Sequence, residues 1–254
     1  DIIVSLLKKY CKRFYFYKKS DWEKDKLVYQ ELTPEDSNFI DEYRVYIQES
    51  AMDIIHKISQ LVDFVKSGQL KDFDFPFGKS MYFQTHLYNP ILSLNNNEVI
   101  EIKPVALNDG ETKFVEQLRE YYNNNKQKYA NEEFYLLRNR SKGNGMGFFE
   151  EGNFYPDFIL WHVKDNKQYI TFIDPKGIRN LDGPNDPKIT FYKRIKILER
   201  DLSDDNVILN SAIISNTNIR QVNWRGSWIK EDFENHNVFF QDDDDYIRKV
   251  INLV

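Results

Sequence analysis

Apolar positions in this chain change period along its length, and the changes divide it into elements. Ile2, Ile3, Leu6, Leu7, Tyr10, Phe14 and Tyr17 recur at helical spacing, with lysines and Arg13 on the opposite side, which predicts an amphipathic first helix. Leu27 to Leu32 and Tyr43 to Gln48 read as short strands around the turn Thr33-Pro34-Glu35-Asp36. Ser50 is then expected as an N-cap, with Asp53 at N3, for a helix carrying Ile54, Ile55, Ile58, Leu61, Val62 and Val65. Gly68 is its expected C′ stop. From about Lys71 to Asn97 the pattern is irregular, broken at Pro76, Gly78 and Pro90 and by the turn Asn95-Asn96-Asn97. A boundary near Val105 would separate a mainly helical connector or docking region, 1–104, from a second domain, 105–254.

The second half predicts a helix from Glu111 to Asn123, a strand from Glu133 to Asn139, a glycine-rich loop, a hairpin, a helix from Pro187 to Asp201 and a strand from Val207 to Ser215. A turn-rich stretch around Trp224-Arg225-Gly226, a short strand Val238 to Phe240 and a small helix after the acidic run Asp242 to Asp245 complete the chain. That run reads as a solvated helix start, its carboxylates near the positive end of the dipole. Ile170 to Ile173 is apolar on both faces apart from Thr171, as in a central, covered strand. The order implies an α/β (α+β) fold: a mixed sheet built as helix, three strands, helix, strand, flanked by helices.

The hairpin carries the chemistry. Phe154-Tyr155-Pro156-Asp157-Phe158-Ile159-Leu160-Trp161 runs into a polar turn through Asp165 and Asn166, and Tyr169-Ile170-Thr171-Phe172-Ile173-Asp174-Pro175-Lys176-Gly177 returns. Asp157 and Asp174 lie equally far from the turn, so an antiparallel pairing sets them face to face, with Cβ atoms about 5 Å apart. Two carboxylates that close raise each other's pKa unless a cation lies between them. Lys176, two residues past Asp174, points to the same side. The arrangement calls for a divalent metal. A plain Asp174–Lys176 ion pair on an exposed edge is the alternative, but a surface pair contributes only about 0–1 kcal/mol and gives no reason for Asp157 opposite.

Composition narrows the partners. The chain has 254 residues, 15% aromatic and 30% charged, with a net charge of −5. It is long enough for a real core and too aromatic to be disordered. The acidic balance does not suit a free-standing nucleic-acid binder, whose affinity comes from basic residues that release counterions, so any polyanion is expected to be delivered by another component. Cys11 is the single cysteine, which excludes an intrachain disulfide and fits a reducing cytoplasm. His56, His86, His162 and His236 are scattered, without zinc-ligand spacing. No apolar run approaches the ~20 residues of a membrane span, and no stretch of the sequence is read as a signal peptide. The first residue is Asp, which is read as a fragment of a longer chain or a processed one. Phe77-Gly78-Lys79-Ser80 has Phe73 where a phosphate-binding loop needs glycine and is assigned to structure.

Pro156-Asp157 and Asp174-Pro175-Lys176, in their strand context, resemble the core motif of PD-(D/E)XK nucleases. Ala106-Leu107-Asn108-Asp109-Gly110-Glu111, Phe134 to Asn139, Gly147 to Glu150, Phe154 to Trp161 and Phe172 to Gly177, with Arg13-Phe14-Tyr15 and Trp22-Glu23, are similar to the C-terminal endonuclease region of type III restriction subunits and related helicase-nucleases. The resemblance implies a restriction-endonuclease-like core and a Mg²⁺-dependent endonuclease acting on DNA, in which Mn²⁺ could substitute. The chain would then be the tail of an ATP-driven helicase, with a methyltransferase subunit as a further partner. Asp157, Asp174 and the carbonyl of Pro175 would bind Mg²⁺, and Lys176 would orient or deprotonate the attacking water.

In this fold the first helix often supplies another acid. Glu111 lies on the same helical face as Phe114, Val115, Leu118 and Tyr122, and Glu116 points away. Asn108 and Glu111 also have capping-box spacing, so ligand and cap readings both stand. Arg138, Arg140 and Lys142, with Gly143, Gly145 and Gly147, form a basic, glycine-rich stretch suited to anchoring DNA phosphates, or a plain connecting loop. Glu150 and Glu151 read as surface acids, with support of the metal-binding acids from behind as the alternative. Two rivals to the endonuclease remain: a non-catalytic nuclease-like module coupling a motor to DNA or to a methyltransferase, and a junction or repair nuclease on the same core.

Overall fold

The computed structural model describes residues 33, 35–36, 38–140 and 155–253. The predicted first helix, the strand Leu27 to Leu32, and Lys142, Gly143, Gly145, Gly147, Glu150 and Glu151 lie outside the described residues.

The elements, numbered in chain order, begin with β1 (Arg44–Ile47), α1 (Met52–Lys66), β2 (Phe73–Phe75), β3 (Gly78–Met81), β4 (Ile91–Leu94) and β5 (Ile100–Lys103). There follow α2 (Asp109–Asn124), β6 (Glu133–Arg138), β7 (Phe158–Lys164), β8 (Lys167–Lys176), α3 (Pro187–Leu202), β9 (Val207–Ser215), α4 (Lys230–Glu234), β10 (Val238–Phe240) and α5 (Tyr246–Ile251). The expectation of a mainly helical first region is not met by its described residues, which hold one helix and five strands. The stretch read as irregular contains β2, β3 and β4, paired antiparallel in that order. Strands of three or four residues are too short to show a period. Gly78, at the start of β3, has a packing role: a Cβ there would lie 2.4 Å from the Ser93 carbonyl oxygen and 2.6 Å from the Phe75 ring. Helix α1 starts one residue later than expected, because a turn closes first with the Ala51 N–H donating to Gln48 O (2.9 Å). Ala51 is therefore the N-cap, and Ser50 caps nothing. The helix stops as anticipated at Gly68, whose φ of +73° suits glycine.

The second half follows the anticipated order, with the short helix α4 added before β10. Its sheet runs β10-β9-β8-β7-β6; β7 is antiparallel to both of its neighbours, β6 and β8, and β9 and β10 join parallel. The parallel step from β8 to β9 requires a crossover, which α3 provides. Alternating side chains face two cores. Leu136, Phe158, Leu160 and Ile173 pack with Phe114, Val115 and Leu118 of α2 and with Tyr246, Ile247 and Val250 of α5. Leu137, Ile159 and Phe172 pack on the other face with Phe191 and Ile195 of α3. Each such side chain contributes about 1.5–3 kcal/mol through burial, which fixes the strand faces.

Packing crosses the sequence position of Val105: Met81, Phe83 and Ile91 lie in the same core as Phe114 and Phe158. Residues 85–87 lie along the outer edge of β6, with Leu136 N donating to Thr85 O (2.8 Å) and Leu87 N donating to Leu136 O (2.9 Å). That covers an edge otherwise open to pairing. Among the described residues, no helix is long and apolar enough to cross a membrane.

Candidate metal and phosphate site

The site lies where β6, β7 and β8 end together near the start of α2. Asp165 and Asn166, at φ of +51° and +61°, close the β7–β8 hairpin, and the register runs from Lys164↔Lys167 to Phe158↔Ile173. One more step along that register sets Asp157 opposite Asp174. Pro156 has no N–H to donate, and the ladder ends there. Asn139 takes over: its N–H donates to Asp157 O (2.8 Å) and its side-chain amide to Pro156 O (2.8 Å), which holds Asp157 beside the strand ends.

The carboxyl groups of Asp157 and Asp174 are in hydrogen-bond contact. The Asp174 side chain is 7% exposed and that of Asp157 30%. Burial, then the charges of Asp174 and Glu111, push the Asp157 carboxyl up to about 8, against the opposing pull of Arg138. The two acids thus face each other at the end of the hairpin, and the proximity raises the Asp157 pKa in the direction anticipated. Lys176 Nζ contacts Asp174 Oδ2. Burial works against the Lys176 ammonium, yet Asp174 outweighs it and holds the pKa above the ordinary lysine value. Pro175 is buried in β8 opposite Ile214.

Glu111 and Arg138 reach the same place from the α2 side. The capping box is built: Glu111 N donates to Asn108 Oδ1 (3.0 Å), and Asn108 N donates to Glu111 Oε2 (3.0 Å). The same Oε2 is 3.4 Å from Arg138 Nη2, and Arg138 Nη1 is 3.5 Å from Asp157 Oδ1. Glu111 is thus cap and counter-ion at once. Among the described residues, no three acid, histidine or cysteine side chains converge as a metal cage, so Glu111 does not complete one with the two aspartates. Arg138, expected to meet DNA, is mostly buried and bound to the acids. Arg140 lies on a surface cleft of about 420 Å³, with Phe39, Arg44 and Lys103.

Three contributors escaped the sequence reading. Lys188, in the first turn of α3, lies within hydrogen-bond reach of Lys176; that amine first, and burial second, lower its pKa. Asp186-Pro187-Lys188, an N-cap followed by proline at N1, marks the helix start that carries Lys188, but nothing in that local pattern points to Lys176. Buried His86 accepts the Arg138 N–H at Nε2 (3.1 Å), which places its proton on Nδ1, facing the Tyr88 carbonyl. Burial drives the His86 pKa down to about 3, so the ring stays neutral and keeps that acceptor. The third is Asn139.

The donor set tests which ion would fit. It consists of carboxylate and carbonyl oxygens, which suits a hard cation such as Mg²⁺ or Mn²⁺. Mg²⁺ commonly takes one or two carboxylates and keeps waters, so the Asp157–Asp174 pair is sufficient. No protein-family model, no curated protein and no solved structure matches the chain.

Proposed function

We propose that the chain is a Mg²⁺-dependent DNA endonuclease domain with a PD-(D/E)XK-type core, the nuclease portion of a type III restriction-like or related anti-phage helicase-nuclease. The observation that carries this reading is the facing pair Asp157 and Asp174 with Lys176 two residues further along β8. Such a pair is costly to hold in a folded protein, and a metal site gives it a purpose.

In this reading Asp157, Asp174 and the Pro175 carbonyl hold the ion, which when bound supplies charge neutralisation and an activated water. Lys176 donates to the water or to a non-bridging phosphate oxygen and offsets charge as the phosphorus becomes pentavalent. Water oxygen forms the new bond to phosphorus, the bond to the leaving deoxyribose oxygen breaks, and the proton lost by water is balanced by one gained at that oxygen. Lys188 adds a second amine on the α3 side, Glu111 and Arg138 fix the α2 side, and the helicase segment and any methyltransferase partner bring the DNA.

A second reading has its own support: Asp174 is paired with Lys176 and Asp157 with Arg138, so the cluster can be satisfied as a non-catalytic scaffold. Linear, nicked and branched DNA incubated with the protein and Mg²⁺ or Mn²⁺ decides between them. Cleavage that chelation abolishes supports the nuclease, and a preference for branched DNA points to junction or repair chemistry. No cleavage of any substrate with either ion overturns the nuclease and leaves the scaffold.

A further inference from the structure

The guanidinium of Arg138 is shared between two acids and bound closely by neither. Its nitrogens lie 3.4 Å from Glu111 Oε2, 3.5 Å from Asp157 Oδ1 and 3.4 Å from Asp157 O. Strong bidentate arginine–carboxylate pairs are at about 2.7–2.9 Å. The backbone of Arg138 is by contrast well fixed: its N–H is held by His86, and its carbonyl faces the Tyr88 hydroxyl at 3.4 Å. A firmly anchored residue thus carries a loosely held charge beside an acid pair that needs neutralising. Lys176, on the other side of the pair, is in close contact with Asp174.

We infer that Arg138 is the site's built-in counter-ion, which a divalent cation must displace from Asp157, so that this arginine sets metal affinity and, once released, is free to meet a phosphate. The inference rests on the metal-site reading above and deepens it. A doubly charged ion in direct contact with both aspartates outcompetes a guanidinium at 3.5 Å. Displacement nevertheless weakens apparent binding, because the protein that accepts metal is only the fraction in which the arginine has left. Removing Arg138 should therefore strengthen metal binding, the opposite of what loss of a ligand or of a structural support would do.

The test is Mn²⁺ binding by calorimetry, without DNA, on the full 254-residue chain. Arg138→Met is expected to bind Mn²⁺ about 10-fold more tightly than the parent, within the range of coupled sites. Arg138→Lys, which keeps the charge and loses the fork, should fall between them. Should Arg138→Met fail to fold by circular dichroism, Arg138→Lys carries the test: tighter binding than the parent supports the exchange. Equal or weaker binding in the folded variants, with the parent binding normally, overturns it. A parent that binds no Mn²⁺ overturns the metal-site reading itself, a distinguishable failure.

Discussion

The two ends of the β7–β8 hairpin solve the burial of charge in opposite ways. At the turn-proximal end, His162 stacks on Phe134 with ring centroids 4.3 Å apart and an interplanar angle of 13°, and its Nε2 lies 2.5 Å from Glu132 Oε2. Lys164 reaches the other oxygen of Glu132 at 3.5 Å. Glu132 there has a partner at each of its oxygens, and the cluster reads as stability. At the far end of the same strands, Asp157 is set against Asp174 with Glu111 nearby, and burial and repulsion together leave Asp157 with a strongly raised pKa. One hairpin therefore carries a pair of opposite kind at one end and a pair of acids, held by Lys176 and Arg138, at the other, and in the proposed reading the acid pair is where a cation lowers the free energy most.

The largest effects should separate these ends by activity. Asp174→Ala or Lys176→Ala is expected to lower DNA cleavage by roughly 10²-fold or more, as removal of one transition-state donor does, while circular dichroism shows retained fold. Glu132→Gln should leave the cleavage rate within about twofold. The same substitution removes a charge-assisted contact and should cost about 2 kcal/mol in urea unfolding. Cleavage lost equally at both ends would mean that the site is merely sensitive to sheet stability.

A smaller effect follows from the raised Asp157 carboxyl, which faces Asp174, Glu111 and Arg138. In the unfolded chain an aspartate titrates near ~3.9; in the fold it does so near 8. The folded state holds this proton more tightly. Its contribution to stability is complete below the unfolded value and is lost as pH rises through the folded one. Asp157→Asn should therefore match the parent near pH 4 and exceed it near pH 9 in metal-free thermal unfolding. Saturating Mg²⁺ should raise the melting temperature of the parent and not of the variant. A parent whose stability relative to the variant does not change between those pH values would break the comparison.

The hairpin register was legible because its causes are local: a two-residue polar turn that tolerates positive φ and strands rich in β-branched and aromatic residues. Val207 to Ser215 was legible for a related reason, being a long apolar run after a well-marked helix. What stayed hidden depends on layers meeting. Lys188 reaches Lys176 only because α3 crosses back over the end of β8, and Arg138 turns to the acids because α2 brings Glu111 over the end of β6. No local pattern encodes either meeting. His86 was hidden for the same reason, its partner lying 52 residues away.

The smallest prediction concerns Glu111, for which cap and ligand readings coexist in the sequence, whereas the structure shows the cap and an arginine contact. Two substitutions divide these roles. Asn108→Ala removes the capping side chain and leaves the Glu111 charge, so about 1 kcal/mol of stability should be lost in urea unfolding while Mn²⁺ affinity stays within about twofold. Glu111→Gln keeps the cap, because glutamine at N3 still accepts from the Asn108 N–H, and removes the charge that Arg138 shares. Stability should then change by less than in Asn108→Ala. If Glu111 is only cap and counter-ion, Arg138 loses one of its two acids and concentrates on Asp157, and metal binding weakens only modestly, by a few-fold. A collapse of Mn²⁺ affinity by about 10²-fold in Glu111→Gln would instead make Glu111 a direct ligand, and the α2 side of the site would have to turn inward on metal binding.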